Sequence, residues 1–289
     1  ASSASDPIFL TSYKSKVYAT REVKQLQFDD ITKTIDIVKN KLKSEYLLIA
    51  PSTEAINRYV LKNRVKFEKI GCEVPLINKS AYEDISDKHK FGWLCKKNDI
   101  RVPLEYENFN HTHLPCVAKP KQYFAKDGTT PSPVIIKNKK DQKQFLRLYD
   151  HSDFYYQEYV DGRSLYLLYY FYKDGSVVKF SQENLIQQPG GKSMIAAVTT
   201  EIHTESVSDI YEMLFKKIQY RGFVMVEIKK TNEDHYMIEA NPRFWGPAQL
   251  FVDANNNLFE AFLYDFGITE KMPVFKPVKS IIKYFWMGG

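Results

Sequence analysis

The sequence predicts an α/β protein made of α+β lobes, with a parallel α/β lobe at its N-terminal end. Three patterns carry that prediction. Helical and extended periodicities alternate through residues 31–77, which is the rhythm of a parallel sheet. From residue 160 onward extended segments separated by turn residues dominate, which is the pattern of antiparallel pairing. Two apolar-rich segments, residues 223–230 and 235–243, flank the polar run Thr231-Asn232-Glu233-Asp234 and read as a hairpin.

Taken in chain order, residues 31–42 read as a helix, 46–50 as a strand, 54–70 as a helix and 73–77 as a strand. Parallel sheets place ligands beyond the carboxyl ends of their strands. Ser52 and Thr53 sit at one such end, where either is a good helix cap. The stretch from Ser86 spaces Phe91, Leu94 and Cys95 three and four apart, so it is helical until Asn98-Asp99. A short apolar strand then ends at Lys119, another covers residues 134–136, and an aromatic-rich strand runs from residue 154 to the turn at Gly162. Antiparallel strands, a helix over 206–219, the hairpin and helices within 249–266 complete the pattern. Three lobes are expected at residues 1–84, 85–159 and 160–289.

The hairpin carries the most specific chemistry. Side chains alternate faces along a strand, so Glu239, Asn241 and Arg243 are expected on one face and Tyr236, Ile238 and Ala240 on the other. A connecting loop of three or five residues puts Glu227 opposite Glu239. Two like charges opposed on a ladder are destabilising unless a cation lies between them. Magnesium suits that place, because it takes one or two carboxylates and completes its octahedron with phosphates and water. Arg243 lies roughly 13 Å along the strand from Glu239, near enough for its long side chain to reach an anion held by the metal. The bland alternative is a solvated polar hairpin face.

The run from Glu227 through eleven residues to Glu239-x-Asn-Pro-Arg-Phe-Trp-Gly resembles the metal-binding end of the ATP-grasp superfamily, in particular the carbamoyl-phosphate-synthase-like carboxylate-amine ligases. The resemblance implies an ATP-grasp fold behind an N-terminal parallel α/β pre-ATP-grasp lobe. It implies ATP and Mg2+ (or Mn2+) as cofactors, with Glu227, Glu239 and Asn241 as metal ligands and Arg243 on the transferred phosphoryl group. By the same resemblance, Lys88 and Lys119 reach the nucleotide phosphates. The side chain of Gln157 and the backbone of Glu158 and Val160 meet adenine. Ser164 falls where the family often has a ribose-binding Glu. In the Pro-Gly-Gly-Lys-Ser run, Gly190 and Gly191 allow close approach to an anion, and Lys192 and Ser193 bind phosphate or the substrate carboxylate. A lid is expected at residues 121–133, although it holds only Gly128 where the family is glycine-rich; Lys121 and Lys126 are its cations. The implied activity is an ADP-forming ligase that makes an acyl phosphate from a small carboxylate and passes it to an amine. Two departures, Ser164 and the glycine-poor loop, also fit an inactive ATP-binding regulatory module, and a non-amine acceptor is a further reading.

Composition is compatible with these expectations. With 289 residues and 44% hydrophobic content, the chain can bury a sizeable core. The net charge of +6 comes from basic residues interspersed with 35 acidic ones, which argues for a nucleotide rather than nucleic acid. The longest apolar run is far too short to span a bilayer, and no charged-then-apolar leader opens the chain. Cys72, Cys95 and Cys116 form neither a metal spacing nor an even disulfide set, so a cytoplasmic location is expected. Homo-oligomerisation is left open.

Overall fold

A computed structural model describes residues 1–123, 130–188, 193–274, 279 and 281–286. Two compact units are present, Ala1–Lys79 and Ser80–Gly289.

The first unit holds α1 (Phe28–Leu42), β1 (Leu47–Leu48), α2 (Glu54–Lys62), α3 (Arg64–Lys69) and β2 (Cys72–Glu73), with β1 and β2 paired in parallel. Val60, Phe67, Cys72 and Val74 form its core, joined by Phe28, Ile31 and Ile35 of α1. Thr53 caps α2, its hydroxyl accepting from Ile56 N at 3.3 Å. The single helix expected over residues 54–70 is broken at Asn63, whose backbone (φ −114°, ψ 19°) ends α2 and begins α3. The break aims Arg64 at the carbonyls of Val74 and Ile77, at 2.9 and 3.0 Å. The expected strand over 73–77 is short because Pro75 has no N–H to give a ladder.

The boundary falls at the first residue of α4 (Lys79–Ser86), and the second unit continues with α5 (Lys88–Lys96). Asp87 caps α5 by accepting from His89 N and Lys90 N at 3.0 and 2.9 Å. Next come β3 (Glu105–Tyr106), β4 (Cys116–Pro120), β5 (Val134–Ile136), α6 (Lys139–Leu148) and β6 (Phe154–Glu158), whose strands form a sheet in the order β3-β6-β4-β5. Alternation sends Cys116, Ala118 and Tyr156 into a core beneath Phe145 of α6. Lys119, Tyr155 and Gln157 belong to the opposite face, where Lys119 pairs with Tyr155 and Val117 with Gln157.

The remaining elements are β7 (Arg163–Phe171), β8 (Val177–Gln187), β9 (Met194–Thr199), α7 (Ser206–Lys217), β10 (Gly222–Lys230), β11 (His235–Asn241), α8 (Ala248–Asp253), α9 (Leu258–Asp265) and β12 (Lys283–Phe285). Their sheet has the order β11-β10-β7-β8-β9-β12. One face is apolar: Tyr169 and Phe171 pack on Phe215 of α7, and Tyr169 Oη donates to Ser208 O at 3.0 Å. The other face is divided along its length. At one end Tyr170 and Phe223 pack on Phe262 of α9. At the other it carries Tyr166, Ser164, Gln182, Asn184 and Glu227, which the ladder places on one side. A chain reversal at Gly162 joins the two sheets, and only glycine fits there because an added Cβ would stand 2.6 Å from Lys230 O.

Candidate active site

Glu227 stands directly opposite Glu239 in the β10–β11 ladder, but not for the reason that loop length suggests. The turn has four residues, with Lys230 paired to His235, and a regular ladder would then set Ile238 against Glu227. A β-bulge between Glu227 and Ile228 shifts the register: Ile228 faces Met237, Glu227 faces Glu239, and Ile238 is the extra residue. The bulge also corrects the expected faces. Met237 joins Ala240 on the apolar side, both 2% exposed, whereas Tyr236 shares the face of Glu239 through its pairing with Lys229.

Each carboxylate has its own hydrogen-bond donor, and Glu239 has a cation as well. Glu239 forms an ion pair with Lys88 at the start of α5, and its Oε1 accepts from Asn241 Nδ2 at 2.8 Å. Glu227 is buried, and its Oε1 accepts from the Ser164 hydroxyl at 2.7 Å. Behind it, Asn184 Nδ2 donates to Ser164 Oγ at 2.9 Å and Gln182 Nε2 donates to Asn184 Oδ1 at 2.8 Å. Ser164, expected at the ribose position, is thus buried with its hydroxyl turned to Glu227. Nothing in the residue order marked Asn184 or Gln182 as its partners; their positions on the same sheet face could have.

Lys119 crosses from the smaller sheet to this hairpin and donates to Ile238 O, the carbonyl of the bulged residue, at 3.1 Å. Burial pushes its ammonium down to about 7 from 10.5, with the charge of Lys88 adding to the shift and Glu227 and Glu105 opposing it. Gln157 lies on the same sheet face as Lys119 and is buried; its Oε1 has no hydrogen-bond partner among the described residues. The expectation for the Glu158 backbone narrows, since its N–H donates to Leu104 O at 2.9 Å and is unavailable to a base edge. Val160 lies just past the end of β6.

Arg243 follows β11, with its guanidinium donating to Asn241 Oδ1 at 3.3 Å and to Phe244 O at 3.0 Å. Glu239, Asn241 and Arg243 line one side of a cavity of about 220 Å3 that also takes in Ser193 and Trp245. Lys192, Gly190, Gly191, Lys126 and Gly128 lie outside the described residues. Lys121 is described, and its Nζ donates to Ser152 O at 3.0 Å. Of the expected site residues, then, Lys88, Lys119, Ser164, Glu227, Glu239, Asn241 and Arg243 come together.

Among the described residues no group of three or more His, Cys, Asp or Glu side chains is placed to hold a metal ion. Two opposed carboxylates with an adjacent amide nevertheless fit magnesium, which needs few protein ligands when phosphates and water supply the rest. The lysines on the two sides add positive charge suited to an anion. Within the second unit, two sheets and this site together define a protein whose opposed carboxylates and flanking cations suit a metal ion and an anionic ligand.

The sequence profile of the ATP-grasp domain matches residues 85–247, more than half of the chain. The chain belongs to the ATP-grasp family. No curated protein matches it. Among solved structures, it is similar to the biotin carboxylase domain of 2-oxoglutarate carboxylase from Hydrogenobacter thermophilus, a dimer in complex with MgADP, ADP and bicarbonate. That match has 12% identity and a TM-score of 0.66 over 90% of this chain and 62% of the other. The biotin carboxylase of Campylobacter jejuni matches with 13% identity and a TM-score of 0.67 over 96% of this chain and 67% of that one. N5-carboxyaminoimidazole ribonucleotide synthetase from Thermotoga maritima matches with 17% identity and a TM-score of 0.58 over 88% and 65% of the two chains. The chain therefore spans about three fifths of the length of the first relative. At these identities the likeness is one of fold. Among the described residues no helix is long and apolar enough to cross a membrane.

Proposed function

We propose that the chain is an ADP-forming carboxylate-amine ligase that uses Mg·ATP. The observation that carries this reading is the opposition of Glu227 and Glu239 across the bulged hairpin, with Lys88, Lys119, Asn241 and Arg243 around the pair. In the reaction a carboxylate oxygen bonds to the γ-phosphorus while the bond to the bridging oxygen breaks, giving an acyl phosphate and ADP. The amine then bonds to the acyl carbon, loses a proton and expels inorganic phosphate.

Each residue has a physical task in this scheme. Glu227, Glu239 and Asn241 would hold magnesium, which would neutralise phosphate charge when bound. Lys119 and Lys88 position the phosphates, with Lys119 fixed by the Ile238 carbonyl. Arg243 orients the acyl oxygen and offsets charge that grows during transfer, where one such donor is worth about 3 kcal/mol. Gln157 and the backbone of Val160 meet the base. Lys192 precedes in sequence Ser193, a residue that lines the cavity, and its assignment to the acyl or phosphate anion rests on family resemblance.

The test is product analysis with Mg·ATP and pooled small carboxylates in hydroxylamine. ADP release with hydroxamate formation supports the acyl-phosphate route. AMP with pyrophosphate would overturn it, and nucleotide binding without turnover across the pool would favour a regulatory module.

A further inference from the structure

The ladder that opposes Glu227 and Glu239 sets a second row of side chains beside that pair. Ser164 of β7 pairs with Lys229 of β10, and Lys229 pairs with Tyr236 of β11. The hydrogen bond from Ser164 to Glu227 shows that this row shares the face of the carboxylates. Adjacent rows on one strand face lie roughly 7 Å apart. Lys229 is half-buried, and its ammonium donates to Gly162 O at 3.1 Å, at the chain reversal that joins the two sheets. The three lysines of the site are therefore spread out. Lys88 and Lys119 meet β11 at Glu239 and at the Ile238 carbonyl, whereas Lys229 points away from the carboxylate row toward the segment that follows β6.

That ammonium has donors to spare. An ammonium carries three N–H groups and can accept nothing. One of them goes to Gly162 O, and among the described residues no carboxylate forms an ion pair with Lys229. Glu227, two residues back on the same face, is engaged by the Ser164 hydroxyl instead. A half-buried cation held by a single carbonyl favours a ligand that supplies further acceptors. Ser164 has nothing left to offer in the same row: it is buried, its one proton goes to Glu227, and its oxygen accepts from Asn184.

Resting on the ligase reading, in which the phosphates lie at Glu227 and Glu239 and the base at Gln157 and Val160, we propose that Lys229 donates to the hydroxyl oxygens of the nucleotide's sugar. The sugar is the part of a nucleotide that lies between phosphates and base. Lys229 occupies the corresponding stretch of the site, rooted one row from the carboxylates with its ammonium at Gly162, two residues past Val160. Because the ammonium only donates, it takes O2′ and O3′ as acceptors. A sugar without those oxygens leaves the cation with the Gly162 carbonyl alone, so Lys229 selects ribonucleotides over dideoxynucleotides.

The experiment is calorimetric titration of MgADP and of the Mg2+ complex of 2′,3′-dideoxy-ADP into the protein, repeated with Lys229→Met. The parent is expected to bind ADP about ten-fold more tightly than the dideoxy analogue, the size of one hydrogen bond to a charged group. Lys229→Met keeps the apolar stem and deletes the donors, so the preference should vanish, with ADP weakened to the level of the analogue. Equal affinity of the parent for the two nucleotides overturns the assignment without reference to any variant. A preference that survives in a Lys229→Met protein of unchanged melting temperature does so as well, because a purely structural lysine would weaken both nucleotides alike. Parallel assays separate the two ideas. A sugar preference that depends on Lys229, with no ADP release from ATP across the carboxylate pool, sinks the ligase reading and spares Lys229. Turnover at equal kcat/KM with ATP and dideoxy-ATP does the reverse.

Discussion

The Ser164 hydroxyl gives its proton to Glu227 Oε1 at 2.7 Å and accepts from Asn184 Nδ2 at 2.9 Å. A hydroxyl has one proton, so this arrangement has a direction: Gln182 donates to Asn184, Asn184 to Ser164, and Ser164 to the carboxylate. Every member is buried, which makes the chain stiff and costly to interrupt.

Replacing Ser164 by Ala removes the final donor and strands the Asn184 amide. The expected cost is about 1–3 kcal/mol of stability. Because an outer partner of a ligating carboxylate fixes its orientation, Mn2+ affinity in the presence of ADP should fall roughly ten-fold or more. Ser164→Thr, which keeps the hydroxyl, should restore most of it. Electron paramagnetic resonance titration of Mn2+ reads this directly; loss of stability with unchanged Mn2+ affinity would limit Ser164 to a structural part.

Glu239 is the more exposed of the two acids, with a side chain 22% accessible and paired to Lys88. Glu239→Gln keeps the shape and the Asn241 contact but removes a charge. Turnover should drop by a factor on the order of 100 or more, with a melting temperature close to that of the parent. ADP release at the parental rate would remove Glu239 from the chemistry.

Lys119 links nucleotide binding to protons. Its folded value of about 7 lies below the ordinary 10.5, so between those values the unfolded chain binds more protons than the folded one. Stability of the nucleotide-free protein therefore rises with pH across that window and is insensitive to Lys119 below it. Phosphates beside the ammonium favour its charged form. At pH 8, ATP binding should take up close to one proton, seen as a binding enthalpy that varies with the ionisation enthalpy of the buffer. Lys119→Met should abolish that variation. A wild-type enthalpy independent of buffer would mean that Lys119 is already charged.

The sequence showed these groups unevenly. Two acids twelve positions apart and a basic residue beyond them announced a site, because hairpin strands can bring such spacings together. The means of their meeting was hidden: nothing about Ile238, an ordinary β-branched residue, marks it as the bulge that corrects a four-residue turn. Tyr236 was assigned to the wrong face for the same reason, since one extra residue inverts the alternation for everything on its far side. Asn63 interrupts a good apolar helical period because Arg64 is held by carbonyls ten and thirteen residues away, a tertiary cause invisible to local pattern. Ser164 was legible as a departure from the family, but its partners arrive from a different strand.

The bulge gives the sharpest test of how register and binding are divided. Deleting Ile238 would leave a regular ladder from the Lys230–His235 pair up to Glu227 opposite Glu239, with Met237 still against Ile228. The carboxylate pair would survive, yet Lys119 would lose the carbonyl that now accepts from it at 3.1 Å. A hydrogen bond from a charged group contributes about 1.5–3 kcal/mol, and its loss should misplace the ammonium at the phosphates. The deletion variant is therefore expected to fold and to keep Mn2+ affinity within about three-fold, a change of under about 1 kcal/mol. Its KM for ATP should rise about ten-fold or more, equivalent to about 1.4 kcal/mol. Mn2+ titration and ATP kinetics on the same preparation separate the effects. Loss of Mn2+ binding with an intact fold would show that the bulge shapes the carboxylate pair itself, and an unchanged KM would show that Lys119 needs no such anchor.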